Sequence, residues 1–520
     1  MRLIDYFDRG AAMYPERDCL VDGASRRTYI DVEKRSHRLA NGLLGRGLVA
    51  GDRIAILSPN AATAFEAWIG AARVGGVWVG LAALATIDDN VNIINDRGAT
   101  WLFYHADFCD VIEQYRVRCP SLVNLVCLDE SAVAGPGGLS LDGLMAGQPE
   151  VAPDLPDDPD AIISHFTTGG TTGEPKGSMW SNLTWEAWTG NVFAHLPVTE
   201  SPVFLAAAAM SHATGVFVWP YMAFGATTVC VQKADPVSVM DAISTHGVTH
   251  TFLPPTIIYM MLSHESASSY DFSTMRHMIY GGAPMSTDKV REAIEMFGPC
   301  MAQVYGQAEV PCTIGIMSPA EHVAALENET TQKRLLSCGR PAIYSRVAIM
   351  DDEGNLMRRG EAGEIVVRGD VVHAGYYGRP EATEQSLQFG WHHTGDIGYL
   401  DAEGYLFLVD RKKDMIISGG LNVYPIEIER ALWGHAAVQD CAVVGVPDEK
   451  WGEAVTAVVE LKTGEAATEK ELVDWCREKL AAYKIPKAVH FRDQLPRSGV
   501  GKVLRRKVRD EFWANSDRQL

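Results

Sequence analysis

The run from Phe166 to Gly177 reads Phe-Thr-Thr-Gly-Gly-Thr-Thr-Gly-Glu-Pro-Lys-Gly. Its glycines, Gly169, Gly170 and Gly173, let backbone N–H groups approach an anion closely, and the hydroxyls of Thr168, Thr171 and Thr172 add donors. Lys176 supplies a compact positive charge. This is the chemistry of a phosphate-gripping loop. It is not the Walker form, because Pro175 stands where that motif needs glycine before its lysine, and Gly177 rather than Ser or Thr follows Lys176. The plain alternative is a solvated linker, but linkers rarely combine so much threonine with a Pro-Lys-Gly stop.

Other stretches carry complementary chemistry. In Val304-Tyr305-Gly306-Gln307-Ala308-Glu309 an aromatic can stack on a purine, and a carboxylate can hold a magnesium ion that bridges phosphates. The plain alternative there is a strand end with a surface glutamate. Gly281-Gly282-Ala283-Pro284 is a strand-to-helix turn against which a flat ring can lie. Asp396, closing Gly-Trp-His-His-Thr-Gly-Asp, is suited to accept two ribose hydroxyl bonds. The adjacent histidines His392 and His393 would point to opposite faces of a strand, which disfavours a shared metal. Gly419-Gly420 permits a tight hairpin, and Pro425 opens a helix at its first turn. Lys502, on a glycine-flanked loop, can place a charge on a developing oxyanion and then leave, or is a surface lysine. His212 is either a site residue or a satisfied structural histidine.

The elements that must position these residues follow from the apolar pattern. Up to about Pro149, helix-like stretches alternate with short apolar runs such as Arg53 to Leu57, and Ala134 to Pro156 reads as a loop. Ala161 to Phe166, Val203 to Ala209, Thr227 to Val231, Thr249 to Leu253 and Met275 to Tyr280 then predict strands separated by helices, hence parallel α/β sheet. Beyond Ser337, Val347 to Asp351, Glu364 to Arg368 and Tyr405 to Asp410 are predicted strands joined by acidic-Gly turns, an antiparallel region. From Asp414 the order reads β-β-α-β-β-α with a basic tail. The predicted plan is a multi-subdomain α/β body, residues 1–412, and a small α+β lid, residues 413–520.

Bulk properties narrow the function. A chain of 520 residues, 47% hydrophobic, builds a large core and more than one domain. A net charge of -20 and a pI near 5.2 disfavour nucleic acid and anionic membrane as partners. The basic run Lys502 to Arg509 reads as a charged helix face. Ten cysteines without a CxxC or zinc spacing fit reduced thiols in the cytoplasm. Acidic residues interrupt the N-terminus where a signal peptide would be apolar, and Val74 to Ile87 is too short to span a bilayer. No Gly-x-Ser-x-Gly elbow or His-Glu-x-x-His is present to support a hydrolase or zinc protease.

The Phe166–Gly177 run resembles the phosphate loop of the adenylate-forming superfamily: acyl-CoA synthetases, peptide-synthetase adenylation domains and beetle luciferases. The resemblance extends over essentially the whole chain and implies the same body-and-lid plan. It implies that Tyr305 packs on adenine within a segment including Gly306, Gln307 and Ala308, and that Glu309 binds Mg²⁺. Gly281, Gly282, Ala283 and Pro284 would serve adenine and the acyl channel, with His212 as a gate beside it. Asp396 and Arg411 would reach ribose, Lys413 would be the hinge, and Lys502 the C-terminal catalytic lysine. Gly419 and Gly420 would line the pantetheine tunnel for CoA. Two positions depart from the family pattern: Gly169 replaces a usual serine and Ala308 a usual threonine, each deleting a hydroxyl near the phosphates.

The implied activity is an ATP- and Mg²⁺-dependent acyl-CoA synthetase. It would convert a carboxylic acid to its acyl-adenylate and transfer the acyl group to CoA. An adenylating enzyme that loads a carrier protein is the second reading. A ligase that takes a pre-formed adenylate, or a non-catalytic binding module, is the third, motivated by Gly169 and Ala308. Leu205 to Met210, Leu-Ala-Ala-Ala-Ala-Met, leaves room for a bulky apolar acyl group if it faces the channel, and a tightly packed core otherwise. A homodimer is the common oligomeric state for such a chain.

Overall fold

The computed structural model describes residues 1–129, 138–168, 176–198, 201–411, 414–418, 421–448, 450–497 and 503–513. Two mostly parallel sheets make the body. The larger has nine strands in the spatial order Arg340–Pro341, Gly315–Met317, Met301–Tyr305, His277–Gly281, His250–Leu253, Val203–Ala206, Thr227–Cys230, Asp18–Asp22, Ser25–Thr28. Its six central strands, Met301–Tyr305 through Asp18–Asp22, are parallel. Val203–Ala206 lies between Thr227–Cys230 and His250–Leu253, so chain progression reverses beside it. In such sheets ligands bind beyond the carboxyl ends of the strands, at the point of reversal. The segments after Ala206, Gly281 and Tyr305 all leave that same end.

The second sheet has seven strands, with Arg53–Leu57 and Val77–Leu81 at its centre and Ile162–Thr167 and Gly177–Ser181 at one edge. The last two pair antiparallel, Thr167 opposite Gly177, so the Gly/Thr run joins the arms of a hairpin. Val77–Leu81 is buried along its whole length, as expected of a strand covered on both faces.

An aromatic core anchors this hairpin. Phe166 stacks on Trp180 across its base with ring centres 3.7 Å apart. Beneath it Trp68 stacks on Trp78 at 4.1 Å and meets Trp219 edge-on at 5.4 Å, while Trp185 and Trp188 cross at 90°. Such edge and offset pairs add to the burial of their large surfaces. The helix Ala213–Met222, buried from Thr214 to Met222, fills the same layer.

A four-stranded antiparallel sheet follows: Arg346–Met350, Gly363–Arg368, His392–Leu400 and Leu406–Arg411. Its turns close as their acidic residues lead one to expect. Asp351 Oδ1 accepts from Asn355 N at 2.7 Å, and Asp401 Oδ1 from Tyr405 N at 2.9 Å.

The C-terminal sheet pairs Ile416–Ser418 with Leu421–Val423, and Val438–Asp448 with Gly452–Leu461. It has its own apolar core around Val443, Val455, Ala457, Val459 and Leu472. The β-β-α-β-β-α order holds but is incomplete: Ala488–Arg492 adds a strand parallel to Gly452–Leu461. The basic tail folds as the helix Arg505–Trp513, because Val508 seats on the core while Arg506 stays out in solvent.

The predicted loop Ala134 to Pro156 also contains structure. A helix spans Leu141–Met145, capped by Ser140 Oγ accepting from Gly143 N at 3.0 Å and held by buried Leu141 and Leu144. All ten cysteines are free thiols. Among the described residues no helix is long and apolar enough to cross a membrane.

Candidate active site

Thr168 and Lys176 close the Gly/Thr run on itself. Thr168 N donates to Lys176 O at 2.9 Å, and Lys176 N to Thr168 Oγ1 at 3.2 Å. Gly169, Gly170, Thr171, Thr172 and Gly173 lie outside the described residues. The Lys176 ammonium rests 4.9 Å from the ring centre of Tyr376. The Tyr376 hydroxyl donates to Glu309 Oε1 at 2.7 Å. Burial pushes the Glu309 carboxyl above its ordinary range, and the Tyr376 bond partly offsets this. The predicted phosphate lysine and metal carboxylate therefore share one phenol, the lysine over its ring and the carboxylate at its hydroxyl.

Ala308, where a hydroxyl is missing, is held by its backbone instead. Its carbonyl accepts from Trp180 Nε1 and from Ser178 Oγ, each at 2.6 Å. Ser178 Oγ also meets His373 Nδ1 at 2.9 Å, and His373 N donates to the Glu309 carbonyl at 2.8 Å. The turn that carries Glu309 is thus tied to the second hairpin strand without help from residue 308's side chain.

The ribose candidates form a second cluster. Asp396 and Arg411 face each other across antiparallel strands, and Arg411 Nε lies 3.2 Å from Asp396 Oδ1. Asp396 Oδ2 accepts from the Tyr305 hydroxyl at 2.6 Å and from Gln307 Nε2 at 2.9 Å; Gln307 Nε2 also reaches Thr394 O at 2.8 Å. A carboxylate offers about four acceptor positions. Two are taken on Oδ2 and one on Oδ1, so one position is free and a second ribose hydroxyl would have to displace Tyr305, Gln307 or Arg411. Burial, then the charge of Asp396, raises the Tyr305 phenol well above its ordinary value, so it stays a donor. His392 and His393 diverge as expected: His392 is buried, and His393 Nδ1 lies 3.2 Å from Glu364.

Gly282, Ala283, Pro284, Tyr305, Gly306, Asp396 and Arg411 line one cleft of about 260 Å³. Gly282 has φ +79° and open space where a Cβ would be, a conformation few other residues adopt. Gly281 ends the strand that leads into this turn. His212 stands just before the helix Ala213–Met222 without bonding its end, its Nδ1 2.9 Å from Ser211 Oγ; burial lowers its pKa to about 4, so it is neutral at pH 7. Asn60 fixes the approach to it, donating to Ala207 O at 2.9 Å and accepting from Met210 N at 2.8 Å.

The alanines give less room than their size suggests. Ala206 and Ala207 are buried in the body's core, and only Ala208 and Ala209 are reached by solvent. Interior packing, which leaves few voids, takes up the space they vacate.

The far wall of the cleft comes from the C-terminal region. Arg497 and Val503, bridged to each other, flank the segment containing Lys502, and both line the cleft. Lys502 lies outside the described residues, as do Lys413, Gly419 and Gly420. Ser418 pairs directly with Leu421, so the strands on either side of the double glycine are in hairpin register.

The donor set fits magnesium. Glu309 presents carboxylate oxygens, the hard ligands that Mg²⁺ takes one or two at a time alongside substrate phosphates. Among the described residues no group of three or more His, Cys, Asp or Glu could form an all-protein metal cage.

Two groups escaped the sequence reading. Tyr376 sits in Ala374-Gly375-Tyr376-Tyr377-Gly378, whose sole signal is an aromatic pair beside glycines. Arg505 lay within the basic run read as solvated, yet it gathers three carboxylates. It donates to Glu429 Oε1 and Oε2 at 3.0 and 2.6 Å and to Asp414 Oδ2 at 2.7 Å, and lies 3.5 Å from Asp410 Oδ1.

The chain is similar to known proteins over essentially its whole length. The family described as AMP-binding enzyme matches residues 7–377, and the AMP-binding enzyme C-terminal domain matches residues 427–502. The feruloyl-CoA synthase of Amycolatopsis sp is 35% identical, spanning 97% of this chain and 98% of the relative. The fatty acid–[acyl-carrier-protein] ligase ScoC of Streptomyces coeruleorubidus is 33% identical over 95% of this chain and 93% of its own. The crystal structure of the anthranilate CoA ligase AuaEII in complex with anthranoyl-AMP superposes with a TM-score of 0.88 at 26% identity, covering 98% of this chain and 97% of that one. The chain therefore belongs to the adenylate-forming superfamily of AMP-binding enzymes, among its AMP-forming acid–thiol ligases of the acyl-CoA synthetase type.

Proposed function

We propose that this enzyme activates an apolar carboxylic acid, aromatic or long-chain, as its acyl-adenylate and transfers the acyl group to CoA. The observation that carries the reading is the shared cleft, in which the ribose candidates Asp396 and Arg411 and the adenine turn face the flanks of the Lys502 segment. The apolar acid is supported by relatives named for feruloyl and fatty acyl groups and a neighbour bound to anthranoyl-AMP.

In this mechanism the acid's carboxylate oxygen attacks the α-phosphorus of ATP and pyrophosphate leaves. Thr168 to Gly173 and Lys176 hold the β- and γ-phosphates, and Lys502 neutralises charge that grows at the α-phosphate. Glu309 would hold a magnesium ion, which would supply further positive charge at the phosphates. Tyr305 and the Gly281–Pro284 turn hold adenine, Asp396 and Arg411 hold ribose, and neutral His212 stands beside the acyl channel. The C-terminal domain, residues 413–520, then turns about Lys413 and withdraws Lys502. Gly419 and Gly420 replace it beside pantetheine. The CoA sulfur attacks the acyl carbonyl, and the bond to AMP breaks.

The resemblance to ScoC favours one second reading, transfer to a carrier-protein thiol. A panel of carboxylic acids with ATP, Mg²⁺ and either CoA or a holo carrier protein, read by mass spectrometry, decides between them. Acyl-CoA from aromatic or long-chain acids supports the proposal, and turnover of acetate alone contradicts the apolar acid. ATP–pyrophosphate exchange without CoA tests adenylation itself, and its absence with every acid would favour an enzyme that uses a pre-formed adenylate.

A further inference from the structure

Tyr376 touches both ends of the phosphate-binding apparatus, and nothing in the mechanism above requires it. Its ring lies under the Lys176 ammonium at 4.9 Å, and its hydroxyl donates to Glu309 Oε1 at 2.7 Å. A cation over an aromatic face is attracted by the ring quadrupole, and a hydroxyl bonded to a carboxylate is among the stronger hydrogen bonds. Each contact removes freedom from a long side chain that must otherwise be ordered when nucleotide binds.

The phenol is itself immobilised. Residues 374–377 lie against the strand that follows the Gly/Thr run: Ala374 N donates to Met179 O at 2.8 Å, Met179 N to Gly375 O at 2.9 Å and Tyr377 N to Gly177 O at 2.9 Å. Tyr376 N is further bonded to Thr383 Oγ1 at 2.9 Å, and the His373 ring packs edge-on against the Tyr376 ring at 4.8 Å. The side chain is 9% exposed. A rigid spacer therefore stands between a cation and a carboxylate that must act on one triphosphate.

We propose that Tyr376 is a positioning residue that sets the separation of Lys176 and Glu309, so that both address the same metal-bound phosphate group. Its hydroxyl occupies one Glu309 oxygen and turns the other toward the phosphates. Its ring keeps the lysine ammonium over the same spot. This rests on the adenylation reading, and the test separates the two.

Tyr376→Phe removes the hydroxyl and keeps the ring; Tyr376→Leu removes both. Mn²⁺ affinity in the presence of ATP, followed by electron paramagnetic resonance, should weaken about tenfold in Y376F, the loss expected for one hydrogen bond to a charged group. In ATP–pyrophosphate exchange the half-saturating free Mg²⁺ should rise by a similar factor, while the rate at saturating Mg²⁺ stays within about threefold. AMP affinity and Tm should stay near wild type, and Y376L should additionally raise the KM for pyrophosphate. The effect of Y376F should vanish in a Glu309→Gln background, a coupling that a merely structural tyrosine would not produce. Unchanged Mn²⁺ affinity in Y376F, an undiminished effect in the E309Q background, or a parallel loss of AMP affinity overturns the inference. A wild-type enzyme that binds Mn²⁺ with ATP but exchanges no pyrophosphate defeats the adenylation reading instead, and the Mn²⁺ measurement still decides the role of Tyr376.

Discussion

Each of the two site carboxylates, buried Asp396 and half-buried Glu309, is held by a donor. Asp396 is held by Tyr305, Gln307 and Arg411, and Glu309 by Tyr376. Each partner is a donor that fixes its carboxylate's orientation and uses part of its acceptor capacity, so Asp396 keeps about one free acceptor position and Glu309 its second oxygen. Lys502 is the complementary case, a cation expected to visit and leave. Its flanks Arg497 and Val503 already line the cleft that holds Asp396 and Arg411, while Arg497 is anchored to Asp440 at 2.8 Å. Lys502→Ala should slow adenylation by about 10²-fold or more, as loss of a preorganised charge does. Thioester formation from supplied acyl-adenylate should stay nearly intact. Rapid-quench measurement of both half-reactions checks this, and an equal loss in both would contradict two separate lid poses.

At the scale of elements, the short turn after the strand Met301–Tyr305 carries four candidate site residues, Gly306, Gln307, Ala308 and Glu309, and tolerates little change. A Cβ at Gly306 would sit 2.5 Å from Cys312 N and 2.6 Å from Val310 O, both backbone atoms that cannot move aside cheaply. Cys312 is itself in a left-handed conformation at φ 43°, which costs a non-glycine residue about 1 kcal/mol or more. Gly306→Ala should therefore lower stability by roughly 1–3 kcal/mol, as overpacking does. It should also weaken AMP binding at least tenfold, because Tyr305 and Gln307 would no longer reach Asp396 together. Denaturant titration and calorimetry measure the two effects. Normal AMP affinity in a folded G306A enzyme would show that this turn does not set the ribose site.

At the scale of the molecule, burial of histidine makes the fold sensitive to acid. Burial lowers His165, His250 and His373 to about 3 and His212, His277, His322 and His392 to about 4, from an ordinary 6.5. Their folded pKa values lie below the unfolded one, so the stability is complete above pH 6.5 and is lost as pH falls toward 4. Each contributes about 1 kcal/mol to that loss by pH 5.5. Asp410 opposes them: burial raises it to about 6, so its contribution is lost as pH rises from about 4 to 6. Glu66 and Glu309, also raised by burial, act in the same direction as Asp410, but these three acids are outnumbered by seven histidines, and Tm should fall more steeply between pH 7 and 5 than between pH 8.5 and 7. A flat Tm across pH 5 to 7 would contradict this. Asp410 also joins the body to the C-terminal region, accepting from Ile426 N at 2.9 Å and facing Arg505. Arg505→Ala would strand Asp410 and Glu429 as buried charges and should cost about 3 kcal/mol or more, read as a lower denaturation midpoint.

The residues whose proposed roles rest on their own backbone neighbourhood stand out in the sequence itself. The Gly/Thr run, the Gly281–Pro284 turn, the Tyr305–Glu309 segment, Asp396 and the glycine-flanked Lys502 are short motifs whose spacing carries their chemistry. The strands also stood out, because parallel strands covered on both faces read as apolar runs between turns. The helix Leu141–Met145 hid inside the Ala134 to Pro156 stretch, signalled only by its Ser140 cap, while the basic tail read as a charged helix face with no sign that Val508 and Arg505 are taken inward. What tertiary structure alone decided lies far apart along the chain. Tyr376 meets Glu309 across 67 residues and Tyr305 meets Asp396 across 91. The Ala206–Ala207 pair proved to be core filling, and Arg505 a buried junction. Sequence determines what a residue can donate, accept or pack, whereas close-packing of distant elements determines which partner lies within 3 Å, and no local pattern encodes that second choice.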